Sequence, residues 1–218
     1  MYRYILFDLD GTLTDSREGI VRCVRATIAE YGDPQPEEET LLRFIGPPLQ
    51  DSFARFCGYG PEKVEDAVER FRLHYEPAGQ YENRAAPGMA ELMGRLKERG
   101  YVLALASSKP ENLCVSICAR FGFTPYLSVL AGSPPNGDRA KADVIREVMR
   151  QLGLTEADAS QVLMVGDRKF DVLGAAACGV DCAGVEFFGY APEGELEEAG
   201  AVAVVSTPEE LEDFILSH

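Results

Sequence analysis

Short apolar runs recur along the chain at 4–9, 102–107, 127–131, 162–165, 180–185 and 201–205. Short, apolar and carrying β-branched residues, they predict strands. Between them the apolar period lengthens. Met89, Leu92, Met93 and Leu96 repeat at helical spacing and stop at Gly100; Val144, Ile145, Val148, Met149 and Leu152 do the same and stop at Gly153. These predict helices that cover sheet faces, and the alternation of strand with helix predicts parallel βαβ units. One stretch breaks the alternation. Over 15–81 there is no convincing strand, while Ile20, Val21, Val24 and Ile28, then 49–56, then Val64, Val68, Phe71 and Tyr75 mark helices. The expected organisation is an α/β core of residues 1–14 and 82–218 with an all-helical insertion at 15–81.

Residues with chemistry stand at the strand ends, where ligands bind in open parallel sheets. The first strand ends in Phe7-Asp8-Leu9-Asp10-Gly11-Thr12. Alternation puts Asp8 and Asp10 on the same side of an extended chain, and two such carboxylates call for a metal ion, a shared proton, or both. Gly11 permits a sharp turn. The second strand ends in Ser107-Ser108-Lys109-Pro110, offering a hydroxyl and an ammonium where a helix is expected to begin. The third leads through Ser133 to Lys141, and the fourth ends in Gly166-Asp167-Arg168-Lys169-Phe170-Asp171, a second acidic cluster. Read singly, Ser107 is a helix cap, Lys141 a surface charge and Asp171 a first-turn acid. Jointly they describe one site.

In this order the residues resemble the four motifs of the haloacid dehalogenase superfamily of phosphotransferases: Asp8-Leu9-Asp10-Gly11-Thr12, Ser107, Lys141, and Gly166-Asp167 with Asp171. The resemblance implies a Rossmann-like core with a helical cap inserted after the first motif, and a Mg²⁺-dependent phosphatase working through an aspartyl phosphate. Asp8 would be the nucleophile. Asp10 would be the general acid and then the base. Asp8, Asp10 through its carbonyl, and Asp167 would hold Mg²⁺, with Asp171 in support. Ser107, Ser108, Lys141 and the amide of Leu9 would bind the phosphoryl oxygens. Dehalogenases of the superfamily lack the second aspartate, so Asp10 argues against dehalogenation.

The implied cap would choose the substrate. Gly46-Pro47-Pro48-Leu49 looks like the turn in caps of phosphoglycolate-phosphatase-like enzymes, and is equally a helix break. Gly166 to Asp171 and the Ser133 to Lys141 loop look closer to 5′-nucleotidase-like members. A sugar phosphomutase on the same scaffold and a phospho-aspartate receiver module are the alternatives. A phosphonatase would need a cap lysine for a Schiff base, and the insertion holds only Lys63, at an expected helix start. No glycine-rich nucleotide loop is present, and no organic cofactor is implied.

Charge narrows the partners. Against 36 Asp and Glu stand 21 Lys and Arg, a formal −15, which disfavours nucleic acid and anionic membrane. The expected partner is a small phosphorylated metabolite, met by a monomer or homodimer. After Lys169 there is no Lys or Arg, and that acidic end reads as solvated surface. The opening run reaches Asp8 too soon for a signal-peptide core, so a cytoplasmic protein is expected. The six cysteines read as thiols, Cys114 and Cys118 in the core, and with no histidine near Cys178 and Cys182 no zinc is expected there.

Overall fold

Tyr4, Ile5, Leu6 and Phe7 alternate between the two faces of a sheet, and both faces are covered. Ile5 and Phe7 join one apolar cluster and Leu6 the other. A computed structural model describes residues 1–134 and 139–218. Its first elements are β1 (Tyr4–Phe7), β2 (Thr14–Asp15), α1 (Arg17–Glu30), α2 (Glu38–Leu42), α3 (Leu49–Cys57), α4 (Pro61–Tyr75) and β3 (Arg84–Ala85). There follow α5 (Met89–Glu98), β4 (Val102–Pro110), α6 (Glu111–Arg120), β5 (Leu127–Ser133), α7 (Lys141–Gln151) and β6 (Val162–Gly166). The chain closes with α8 (Lys169–Ala176), β7 (Asp181–Val185), α9 (Glu195–Ala199), β8 (Ala203–Val205) and α10 (Pro208–Ser217).

Two compact units result: Met1–Thr14 with Ala85–His218, and Asp15–Arg84. In the first, six parallel strands run in the order β5-β4-β1-β6-β7-β8. This is the doubly wound order, and its switch point falls between β1 and β6. Leu92, Met93, Leu96, Ile117, Leu211 and Ile215 pack with Ile5 and Phe7, while Val144, Ile145, Val148, Val172 and Ala175 pack with Leu6. Burying each large aliphatic side chain contributes roughly 1.5–3 kcal/mol.

The second unit is built on α1 and α4. Ile20, Val21, Val24 and Ile28 are buried on one, Val64, Val68, Phe71 and Tyr75 on the other. Gly19 is required here: a β-carbon on it would lie 2.0 Å from the Gly79 carbonyl oxygen. Phe44 and Phe53 meet edge to face at 5.2 Å. Arg43 pairs with Glu39 at 2.5 Å, and Lys63 with Asp33 at 2.5 Å beneath the Tyr31 and Tyr59 rings.

Several boundaries move from those read in the sequence. The first strand stops at Phe7, because the Leu9 carbonyl turns inward to accept from Leu13 and Thr14. The second continues to Pro110, the helical unit extends to Arg84, and α2 was not foreseen. Among the described residues all six cysteines are free, and no helix is long and apolar enough to cross a membrane.

Candidate active site

Asp8 follows β1 directly, and its N–H extends the ladder to the Val165 carbonyl at 2.9 Å. On the even-numbered side of the strand it faces the cluster formed by α7 and α8. Lys141, the first residue of α7, is buried there. Its Nζ lies 2.7 Å from Asp8 Oδ1, 2.7 Å from Asp171 Oδ1 and 3.0 Å from the Ala106 carbonyl. Asp171 Oδ2 also accepts from the Arg168 N–H at 3.1 Å, which closes the first turn of α8. Asp167, just after β6, completes a buried group with Asp8 and Asp171, one carboxylate oxygen from each lying within 4.8 Å of the others. The Thr12 hydroxyl reaches Asp167 Oδ1 at 3.5 Å, but Oδ2 is buried with no partner among the described residues.

Glycines make this crowding possible. At φ 86°, Gly11 turns the chain back, and a β-carbon on it would lie 2.0 Å from Asp167 Oδ2. One on Gly166 would meet Asp171 Cγ at 2.3 Å, and one on Gly174 would meet Lys141 Cγ at 2.7 Å. Each charged group occupies space that an alanine would fill.

The electrostatics follow from burial. Desolvation pushes the Asp8 carboxyl up to about 6; Lys141 pulls it down, and Asp171 and Asp10 push it further up. Asp167 is raised well above the carboxylate range by burial first, then by Asp171 and Asp8. Burial acts to lower the Lys141 ammonium, but Asp171 and Asp8 together outweigh it and hold the charge. Three buried carboxylates against one ammonium, with an orphaned Asp167 oxygen, make a donor set that fits a hard divalent cation.

Other predicted residues are placed differently. Asp10 does not join the acidic group: the chain has left the strand, and its Oδ2 lies 2.8 Å from Lys109 Nζ. Asp8 and Asp10 therefore pair with different lysines, contrary to a simple alternation. Ser107 is buried and its Oγ accepts from the Lys109 N–H at 3.4 Å, while Ser108 is half-buried. Neither begins a helix, since α6 starts at Glu111 with Pro110 as its cap. Leu9 is wholly buried, so only its backbone can serve a ligand. Arg168 is buried and donates to Glu195 at 2.8 Å. Of the Ser133 to Lys141 loop, residues 135–138 lie outside the described residues.

Glu195, and the pairing of Lys109 with Asp10, are what sequence reasoning missed. Lys109 stood in a motif already singled out; Glu195 lay in an acidic run with no mark of its own.

A doubly wound sheet whose switch point carries buried aspartates bridged by a lysine is an α/β fold with a ligand site at its strand ends. The haloacid dehalogenase-like hydrolase family matches residues 5–185, and the chain belongs to it. A 5′-nucleotidase of Pseudomonas aeruginosa is 41% identical over 89% of this chain and 87% of its own length. Tyrosine-protein kinase PtkA of Mycobacterium tuberculosis is 38% identical over 81% of this chain, which spans 60% of that protein. A predicted phosphatase from Clostridium acetobutylicum matches over the full length of both chains, with 35% identity and a TM-score of 0.93. The chain is a hydrolase acting on phosphate esters.

Proposed function

We propose that the protein is a Mg²⁺-dependent phosphatase that hydrolyses a small phosphomonoester through a phosphoryl group carried on Asp8. The observation that carries this is Lys141 Nζ, held 2.7 Å from both Asp8 and Asp171 beside an Asp167 oxygen that has no partner among the described residues. An Asp8 oxygen attacks phosphorus as the bond to the leaving oxygen breaks, and Asp10 gives that oxygen its proton. Water then attacks the same phosphorus, Asp10 takes its proton, and Asp8 is restored with release of inorganic phosphate. Lys141 holds Asp8 in place, and Ser107, Ser108, Lys141 and the Leu9 amide receive the phosphoryl oxygens. Asp8, Asp167 and the Asp10 carbonyl would hold Mg²⁺, supported by Asp171. When bound, the ion supplies positive charge that offsets the carboxylates and the incoming dianion.

Nucleoside 5′-monophosphates are the first substrates to test, on the strength of the Pseudomonas relative, and 2-phosphoglycolate the second. Ser107-Ser108-Lys109 stands where strict phosphoglycolate phosphatases commonly carry Thr-Asn-Lys. Transfer to tyrosine, which the mycobacterial relative's name states, draws no support from a nucleotide-binding loop in this sequence. With a −15 charge, we read the partner as a small metabolite met in the cytoplasm, not nucleic acid or membrane.

The test is phosphate release from nucleoside monophosphates, sugar phosphates and 2-phosphoglycolate, with and without Mg²⁺. Wild type should release phosphate from at least one ester only with the ion. Asp8→Asn should lose turnover while keeping its circular dichroism spectrum. Undiminished turnover by that variant would overturn the role given to Asp8. Return of the phosphoryl group to sugar would mark a mutase instead.

A further inference from the structure

Lys109 is built into the site in a way the chemistry above does not use. Its side chain is 7% exposed, and Nζ lies 2.8 Å from Asp10 Oδ2. A buried ion pair sets desolvation against Coulomb attraction, so it persists only where geometry is good. The backbone supplies that geometry. β4 and β5 are in register from Ala104 and Val129 to Ala106 and Ala131, lose register, and pair again at Pro110 and Ser133. Irregularities of this kind re-aim side chains beside active sites. Gly132 leaves the room: a β-carbon there would lie 2.6 Å from Glu111 Cα and 2.7 Å from the Lys109 carbonyl oxygen. That carbonyl accepts from Cys114 Sγ at 3.6 Å, and the Lys109 N–H donates to Ser107 Oγ at 3.4 Å. The main chain is thus pinned while the ammonium faces Asp10. The two Asp10 oxygens consequently differ: Oδ2 is committed to the lysine, and Oδ1 is buried with no partner among the described residues.

We propose that Lys109 is the positioning residue for Asp10, fixing Oδ2 so that Oδ1 alone exchanges the proton with the leaving oxygen and then with water. When Oδ1 carries the proton, Oδ2 is the carbonyl oxygen and still accepts from the ammonium. This rests on the phosphatase reading above and deepens it.

The experiment compares wild type, Lys109→Met, Asp10→Ala and the double variant on p-nitrophenyl phosphate and on whichever alkyl phosphate wild type hydrolyses. Inhibition by inorganic phosphate is measured alongside. Because an acid matters most for a poor leaving group, Lys109→Met should lose about tenfold more kcat on the alkyl ester than on the aryl ester. Its inhibition constant for inorganic phosphate should not change, Lys109→Arg should regain part of the loss, and Lys109→Met should cost nothing further once Asp10 is alanine. Equal losses on both esters, weakened phosphate binding, or additive losses in the double variant would overturn the proposal. If Lys109→Met does not fold, Lys109→Gln carries the same comparison. A wild type that releases phosphate from no ester overturns both readings; an active wild type with uniform losses overturns only this one.

Discussion

Gly174 acts by what it lacks. A β-carbon on it would lie 2.7 Å from Lys141 Cγ and 2.8 Å from Lys141 Cβ, closer than packed carbons approach. Gly174→Ala should push the lysine away from Asp8, lowering kcat more than KM and costing about 1–3 kcal/mol of stability. Steady-state kinetics beside thermal unfolding check both. Asp8 makes a second prediction. Its carboxyl is pushed from the ordinary 3.8 up to about 6, chiefly by burial. Between those values the folded state holds the proton more firmly than the unfolded chain, so stability falls as pH rises through that window. In EDTA, wild type should therefore lose roughly 1–3 kcal/mol from this group between about pH 4 and pH 7, and Asp8→Asn should lessen the drop. A melting temperature for Asp8→Asn that falls as steeply as that of wild type would contradict this origin.

At the scale of elements, the turn from β6 into α8 presents Asp167 and Asp171, and α9 braces it. Glu195 accepts from Arg168 Nε at 2.8 Å and from the Lys169 N–H at 3.2 Å, with the two side chains 7% and 9% exposed. Glu195→Ala would leave a buried guanidinium without this carboxylate, a change that costs about 3–5 kcal/mol in comparable pairs. The turn should loosen, so more Mg²⁺ should be needed for half-maximal activity; a Mg²⁺ titration reads this. Such bracing was not legible in the sequence. The six strands of the main sheet were, because burial on both faces writes continuous apolar runs, and so were the acids at their ends. Glu195 and Arg168 stand 27 residues apart and Asp10 and Lys109 stand 99 apart, and neither partner signals the other until the sheet is wound. The acidic end looked like plain surface for the same reason, although Glu212 pairs with Arg95 at 2.6 Å and Leu196, Leu211 and Ile215 are buried. The strand ending at Phe7 was overestimated because Leu9 is as apolar as a strand residue, and only its turn-bonded carbonyl shows otherwise.

For the molecule as a whole, the formal −15 opposes the approach of a phosphate dianion. Inside the site the balance is different. Asp8, Asp10, Asp167 and Asp171 face Lys109 and Lys141, a deficit that one divalent cation cancels. With the proposed cation bound, local neutrality would let the ester settle, but it would leave the surface field repulsive during the encounter. Screening should then help. Between about 0.01 and about 0.15 M salt the Debye length falls from about 30 Å to about 8 Å, shorter than the span of a protein this size. With Mg²⁺ saturating, kcat/KM for a dianionic ester should rise, by roughly twofold to tenfold if the surface field governs encounter. The value of kcat should stay level, since the bound ester feels buried groups that salt screens little. Sucrose at matched osmolality separates screening from general solvent effects. A fall in kcat/KM with salt would mean that positive potential focused at the metal and lysines already outweighs the acidic surface, and that substrate capture is decided by the site rather than by the whole molecule's charge.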